Sequence, residues 1–155
     1  MRIAAAAFLP ALLLAAPAAA DSYVNPRFGT SIKFPAAVFS QPQPPPDNGD
    51  GQRWRSPDGA ELAVFGSYNA LEQAPADFFG ELVESRKQTT KLTYSRVEDR
   101  WGVVSGFAGQ HVYYEKYLFG AGDEIIHGVI LSYPADSKAK YDPLVGPIAN
   151  SLDGP

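Results

Sequence analysis

The chain has 155 residues, 13 Lys and Arg against 17 Asp and Glu for a net charge of −4, and no cysteine. The acidic balance argues against nucleic acid and anionic lipid as partners. The missing thiols exclude a disulfide-stapled scaffold, thiol catalysis and a lipoprotein anchored through an N-terminal cysteine.

The first 20 residues read as a secretory signal peptide. Arg2 supplies one positive charge, an alanine- and leucine-rich run extends from Ile3 to Ala16, and Pro17-Ala18-Ala19-Ala20 supplies the small residues of an A-x-A-like processing site. A membrane span needs about 20 strongly apolar residues, whereas here alanine dominates and Pro10 interrupts the run. The expectation is cleavage before Asp21 and release as a periplasmic or secreted protein with no integral membrane anchor after processing. Residues 21–155 have the length of one domain that can bury a core without metal or disulfide help.

Phe28, Thr30, Ile32 and Phe34 share one parity, the signature of a half-buried strand stopped by Pro35. Val38-Phe39 suggests a second short strand. Residues 41–51, with four prolines, Asp47, Asp50 and two glycines, read as a long exposed loop. Residues 53–56 and 61–65, joined through Pro57-Asp58-Gly59, predict a hairpin. Pro75 opens a helix whose stripe is Phe78, Phe79, Leu82, Val83 and Arg86. Strands follow at 91–98, 101–107 and 110–119, and a turn at 120–123 leads into 124–133. That last segment is apolar on both parities, as in a central strand covered on both faces. Tyr141, Leu144, Val145, Ile148 and Leu152 predict a closing helix. Asp142-Pro143 reads as its N-cap and first position, with an earlier start from Ser137 as the alternative, and Pro147 is expected to kink or shorten it. The fold class is α+β, an antiparallel β-sheet sandwiched between helices.

Specific residues carry a family resemblance. The segment Phe28-Gly29-Thr30-Ser31-Ile32-Lys33-Phe34-Pro35 resembles the opening strand of the PsbP-like fold. Tyr114-Glu115-Lys116-Tyr117-Leu118, Val129-Ile130-Leu131-Ser132-Tyr133-Pro134, Tyr141-Asp142-Pro143-Leu144-Val145 and Ile148-Ala149-Asn150-Ser151-Leu152 resemble its last hairpin and closing helix. The resemblance covers most of residues 21–155 and implies kinship with bacterial exported relatives of the extrinsic subunit of the oxygen-evolving complex. It implies a helix–sheet–helix domain that acts by binding. Photosynthetic members help a metal-containing membrane complex retain its ions and a nuclear relative binds a small GTPase, but no functional residue of either matches here one by one.

Candidate sites come from spacing. With a three-residue turn at 120–122, Glu115 faces His127 across the hairpin, and His111 lies on the same face of its strand as Glu115. His111, Glu115 and His127 then form a candidate metal site or acid–base group. A two-residue turn pairs His127 with Lys116 and dissolves it, and a cross-strand polar pair on the solvent face is the simpler reading. The loop Asp47-Asn48-Gly49-Asp50-Gly51, with Asp58, has oxygen ligands for calcium but lacks the alternating pattern and the distal glutamate, so a solvated turn is the simpler reading. Gly102-Val103-Val104-Ser105-Gly106 lacks nucleophile-elbow spacing, and Gly120-Ala121-Gly122 lacks a third glycine and a helix. No cofactor is implied. Trp54, Tyr113 and Tyr117, with Phe119 and Trp101, are candidates for a binding surface if exposed and for core if not. The expectation is an exported, non-enzymatic binding or accessory protein of the cell envelope, acting on a protein partner or a small ligand in a groove beside the loops. A metal-binding module is the alternative, and a hydrolase a more distant one.

Overall fold

A computed structural model describes residues 20–155, and the predicted export segment, through residue 19, lies outside the described residues. The strands are β1 (Asp21–Val24), β2 (Ser31–Phe34), β3 (Gln41–Pro42), β4 (Gly51–Arg55), β5 (Glu61–Tyr68), β6 (Lys91–Val97), β7 (Trp101–Ala108), β8 (His111–Phe119) and β9 (Ile125–Pro134), and the helices are α1 (Pro75–Thr89) and α2 (Lys138–Asn150). Strands β3 to β9 form one antiparallel sheet in the order β3-β4-β5-β9-β8-β7-β6, and β1 pairs with β2 as a separate hairpin.

Side-chain alternation assigns each strand two faces. From β9, Val129, Leu131 and Tyr133 join Leu62 and Val64 of β5 against Tyr141, Val145 and Ile148 of α2, with Ile32, Phe34 and Phe39 closing the cluster. On the opposite face Ile126 joins Tyr117 and Phe119 of β8 against Phe79 of α1, with Phe65, Phe78 and Leu82 packed around them. This two-sided cover is what the apolar content of 124–133 predicts, and the architecture is the expected helix–sheet–helix α+β fold.

Helix α1 begins at Pro75 as predicted, and its apolar stripe faces the sheet. Phe79 is 1% exposed and sits over Gly102, where a Cβ would come within 2.5 Å of its ring. Burying that one ring is worth about 1.5–3 kcal/mol, more than the ~1 kcal/mol that Gly80 costs the helix.

Helix α2 departs from the favoured reading. It starts at Lys138, after a 3₁₀ turn at Ala135–Ser137, and runs through both Pro143 and Pro147. Tyr141 explains the early start: it is wholly buried, stacks on Tyr133 with ring centroids 5.2 Å apart, and donates to Ser56 at 2.9 Å. An interior proline costs about 3 kcal/mol, offset here by burial of Tyr141, Val145, Ile148 and Ala149 on one stripe. Two smaller expectations also change. Residues 36–39 form a turn rather than a strand, with Phe39 buried in the core, and Asp21–Val24, unread in the sequence, pairs with β2.

The two helices cover different parts of the sheet. Helix α1 packs on β6 and β7 and its side chains reach β8, while α2 and the β1–β2 hairpin lie across the other face over β4, β5, β9 and part of β8. One end of each face is left without a helix.

Candidate binding groove

The hairpin of β8 and β9 decides the fate of the predicted metal site. Gly120 N–H donates to Ile125 O at 2.8 Å, closing a four-residue loop in which Gly122 and Asp123 both take left-handed backbone, with φ of 75° and 59°. Leu118 therefore opposes His127, and Glu115 opposes Ile130. This register differs by three positions from the one that builds the cluster, and an odd shift exchanges the faces of β9. Glu115 points toward α1 and His127 toward the opposite face. His111 is exposed beside Pro134, four residues or about 13 Å along β8 from Glu115. The structure does not bring His111, Glu115 and His127 together, and no group of three potential metal ligands occurs among the described residues.

Each polar side chain has another partner. Glu115 accepts from Arg86 Nε at 2.8 Å and Nη2 at 3.0 Å, and from Tyr117 OH at 2.8 Å. That bidentate pair holds the Arg86 guanidinium protonated even more firmly than usual, and burial, reinforced by the adjacent carboxylate, pushes the Tyr117 phenol well above its ordinary range. His127 is fully buried, with Nδ1 2.7 Å from Thr30 Oγ1 and Nε2 3.3 Å from Pro155 O. Both contacts are structural in kind: they tie the residue just before β2 and the chain's last residue to the sheet.

The expected aromatic surface is also redistributed. Tyr113 and Tyr117 are 5% and 8% exposed, because odd positions of β8 face α1, and Tyr113 OH lies 2.7 Å from Thr90 Oγ1. Trp54 is half-buried against Phe34 and Tyr23, at centroid distances of 4.6 and 5.1 Å. Tyr113 and Tyr117 therefore belong to the buried side of the sheet, and Trp54 is packed in part against two other rings. In the acidic loop, Asn25 Nδ2 donates to Gly49 O at 2.9 Å and Arg27 Nη1 to Asn48 O at 2.5 Å, so two loop carbonyls are already engaged. Asp58 lies apart from that loop, accepting from Lys140 Nζ at 2.5 Å, from Ser56 Oγ at 2.6 Å and from Tyr141 OH. These donors, Lys140 foremost, hold its carboxyl well below the ordinary carboxylate range.

What the proline-rich segment does build is a groove of about 400 Å³ at the end of the sheet that α1 leaves uncovered. Its floor is Ala63 and Phe65 of β5, one wall is Pro44 and Pro46, and Arg53 and Arg55 of β4 stand on the rim. The wall is fastened: Gln43 N–H donates to Arg53 O at 2.9 Å and Gln52 Nε2 to Gln43 O at 2.6 Å. Gly51 permits the close approach of loop and floor, since a Cβ there would lie 2.2 Å from Val64 O and 2.8 Å from Phe65 Cβ. The Phe65 ring lies across Gly128 and meets Tyr117 edge-on at 6.1 Å, which joins the floor to the core under α1. Arg55 is paired with Glu61 at 2.7 Å, whereas the exposed Arg53 has no acidic partner among the described residues. Asp50 also lines the groove but forms no ion pair with Arg53, and an apolar floor beside the Arg53 guanidinium suits a ligand with an apolar body and an anionic end, in a volume within the range of small-molecule sites. Composition pointed to the proline-rich segment, but the pairing that sets it against Phe65 has no local sequence signal.

No protein-family model matches the sequence, and no match was found among curated proteins. The fold does have solved counterparts. It is similar to the solution structure of cyanobacterial PsbP (CyanoP) from Synechocystis sp. PCC 6803, with a TM-score of 0.61 over 95% of this chain and 99% of that one, at 14% identity. The chain has a PsbP-like fold.

Proposed function

We propose that this PsbP-like chain is an exported, non-enzymatic binding or accessory protein of the bacterial cell envelope, with its ligand or partner held in the groove between the proline-rich segment and β5. The observation that carries the reading is the groove itself, in which a rigid wall and a ring floor face an unpaired Arg53. Export rests on the n-region, apolar run and small-residue site of residues 1–20, and the helices α1 and α2 add no segment long and apolar enough to cross a membrane. A fold alone does not specify an activity, so the reading stands on the groove's chemistry. An apolar moiety gains from desolvation against Phe65, and a carboxylate or similar anion gains from Arg53.

The test uses residues 21–155 immobilised and exposed to envelope extract, as wild type, Arg53→Glu, and Arg100→Glu as a control distant from the groove. The expected result is a component retained by wild type and Arg100→Glu and lost with Arg53→Glu. Identical retention by all three forms, or no retained component, would contradict the reading.

A further inference from the structure

The second part of the sheet without a helix over it, among the described residues, lies on the opposite face over β6 and β7, beside the α2 end of β8, and its chemistry is distinct from that of the groove. Cross-strand pairing sets Lys91 beside Phe107, Tyr94 beside Ser105 and Tyr114, and Arg96 beside Val103 and Lys116. Trp101 follows next along β7. Tyr94 is 50% exposed, and Trp101, Phe107 and Tyr114 are half-buried. Cations stand over the rings: Arg96 and Lys116 at 5.2 and 5.4 Å from the Trp101 ring, Lys91 and Lys138 each at 5.9 Å from Phe107. Lys116 Nζ also donates to Ala149 O at 2.9 Å near the C-terminal end of α2, which fixes its position.

Four cations thus gather on one face of a chain whose net charge is −4. Glu98 offsets Arg96 at 2.8 Å and Asp142 offsets Lys138 at 3.0 Å, but Lys91 and Lys116 have no acidic partner among the described residues. Beside this face runs a strand edge with no partner among the described residues. Strand β6 is the last in the sheet, and nearly all of its side chains are exposed, whereas the opposite edge is the two-residue β3, which contains a proline. A two-residue edge with proline is blunted against further pairing. The register shift between Leu92 and Tyr94 interrupts β6 near its start and leaves the stretch from Tyr94 to Val97 regular.

We infer that β6 and the adjoining aromatic–cationic face dock an extended acidic segment of a partner protein. Its backbone would pair along Tyr94 to Val97, and carboxylates at alternate positions would reach Arg96 and, toward the start of β6, Lys91, with Lys116 two strands further in adding to the positive field. Main-chain pairing supplies affinity in strand addition, and the side chains of every second residue supply selection. Cations along an exposed edge repel basic strands and favour acidic ones. The half-exposed rings lie on the same face as the cations and flank the alternate side chains that point there, and this face is opposite to the one that carries the groove.

The probe is a fluorescein-labelled ten-residue peptide of alternating glutamate and threonine, followed by anisotropy against residues 21–155 at about 20 mM and about 150 mM salt. Binding is expected at low salt and weaker binding at high salt. Arg96→Glu and Lys91→Glu should each weaken it at least tenfold, with unchanged melting curves, while Lys87→Glu on α1 and Arg53→Glu in the groove leave it intact. Amides of Tyr94 to Val97 not bonded to β7 should exchange more slowly with the peptide present. Absence of binding, or equal effects of all four variants, overturns the inference. So does equally tight binding of a single-stranded oligonucleotide of matched charge, which would mark a general polyanion surface. Self-association abolished by Arg96→Glu also overturns it, because a second copy would then be the occupant.

Discussion

Arg86 and Glu115 show how one residue's meaning depends on its partner. Arg86 is readable from the sequence as part of the α1 stripe, whereas Glu115 reads as a candidate ligand or a solvent-face residue, and their pairing follows from the β7–β8 register, which sets odd positions of β8 on the face that α1 covers. Glu115 is 8% exposed at its side chain, so removing Arg86 leaves a buried carboxylate with only Tyr117. Arg86→Met should cost about 3 kcal/mol in urea unfolding, and Arg86→Met with Glu115→Leu should recover much of that, because breaking a buried pair costs more than replacing it. Asp58 gives a pH-dependent counterpart. Its carboxyl is held low in the folded state, chiefly by Lys140 with Ser56 and Tyr141, so its stabilisation is present above the ordinary Asp value of about 3.9 and is lost as pH falls through the lower folded value. Asp58→Asn should therefore lower the melting temperature at pH 7. The difference from wild type should narrow below about pH 4 and shrink in high salt, since the pair is solvent-exposed.

At the scale of elements, the sequence was most readable where one pattern acts alone. The α1 start at Pro75, the β4–β5 hairpin and the double-sided β9 follow from local chemistry or period. The start of α2 does not, because burial of Tyr141 against Tyr133 and Ser56 outweighs the local signal of Asp142-Pro143. The β8–β9 register is neither of the two that the turn at 120–123 leaves open in the sequence, and its three-position offset from the cluster-building one puts His127 on the other face from Glu115. Two glycines separate local propensity from packing. Gly80 has open space around its missing Cβ, so Gly80→Ala should raise unfolding free energy by about 1 kcal/mol. At Gly128 a Cβ would meet Phe65 Cζ at 2.3 Å, so Gly128→Ala should lower it by about 1–3 kcal/mol and disturb the groove floor. Chemical denaturation of both variants checks the pair.

For the whole molecule, net charge and local charge diverge. The acidic total is a correct count, but it conceals the row of Lys91, Arg96 and Lys116, whose adjacency arises only when β6, β7 and β8 pair. The same holds for the groove, whose prolines and Phe65 are about 20 residues apart and meet through the β4–β5 pairing. Export belongs to this scale as well. Expression of the full 155-residue chain in a bacterial host should yield a periplasmic or secreted product whose intact mass corresponds to a chain starting at Asp21, and retention of residues 1–20 would contradict it. If the groove takes an apolar body with an anionic end, 3-phenylpropionate should occupy it. Titration of isotope-labelled residues 21–155 with this acid, followed through backbone amide shifts, should give saturable shifts centred on Arg53, Ala63 and Phe65 that disappear in Arg53→Gln. Shifts centred elsewhere, or undiminished in Arg53→Gln, would contradict it.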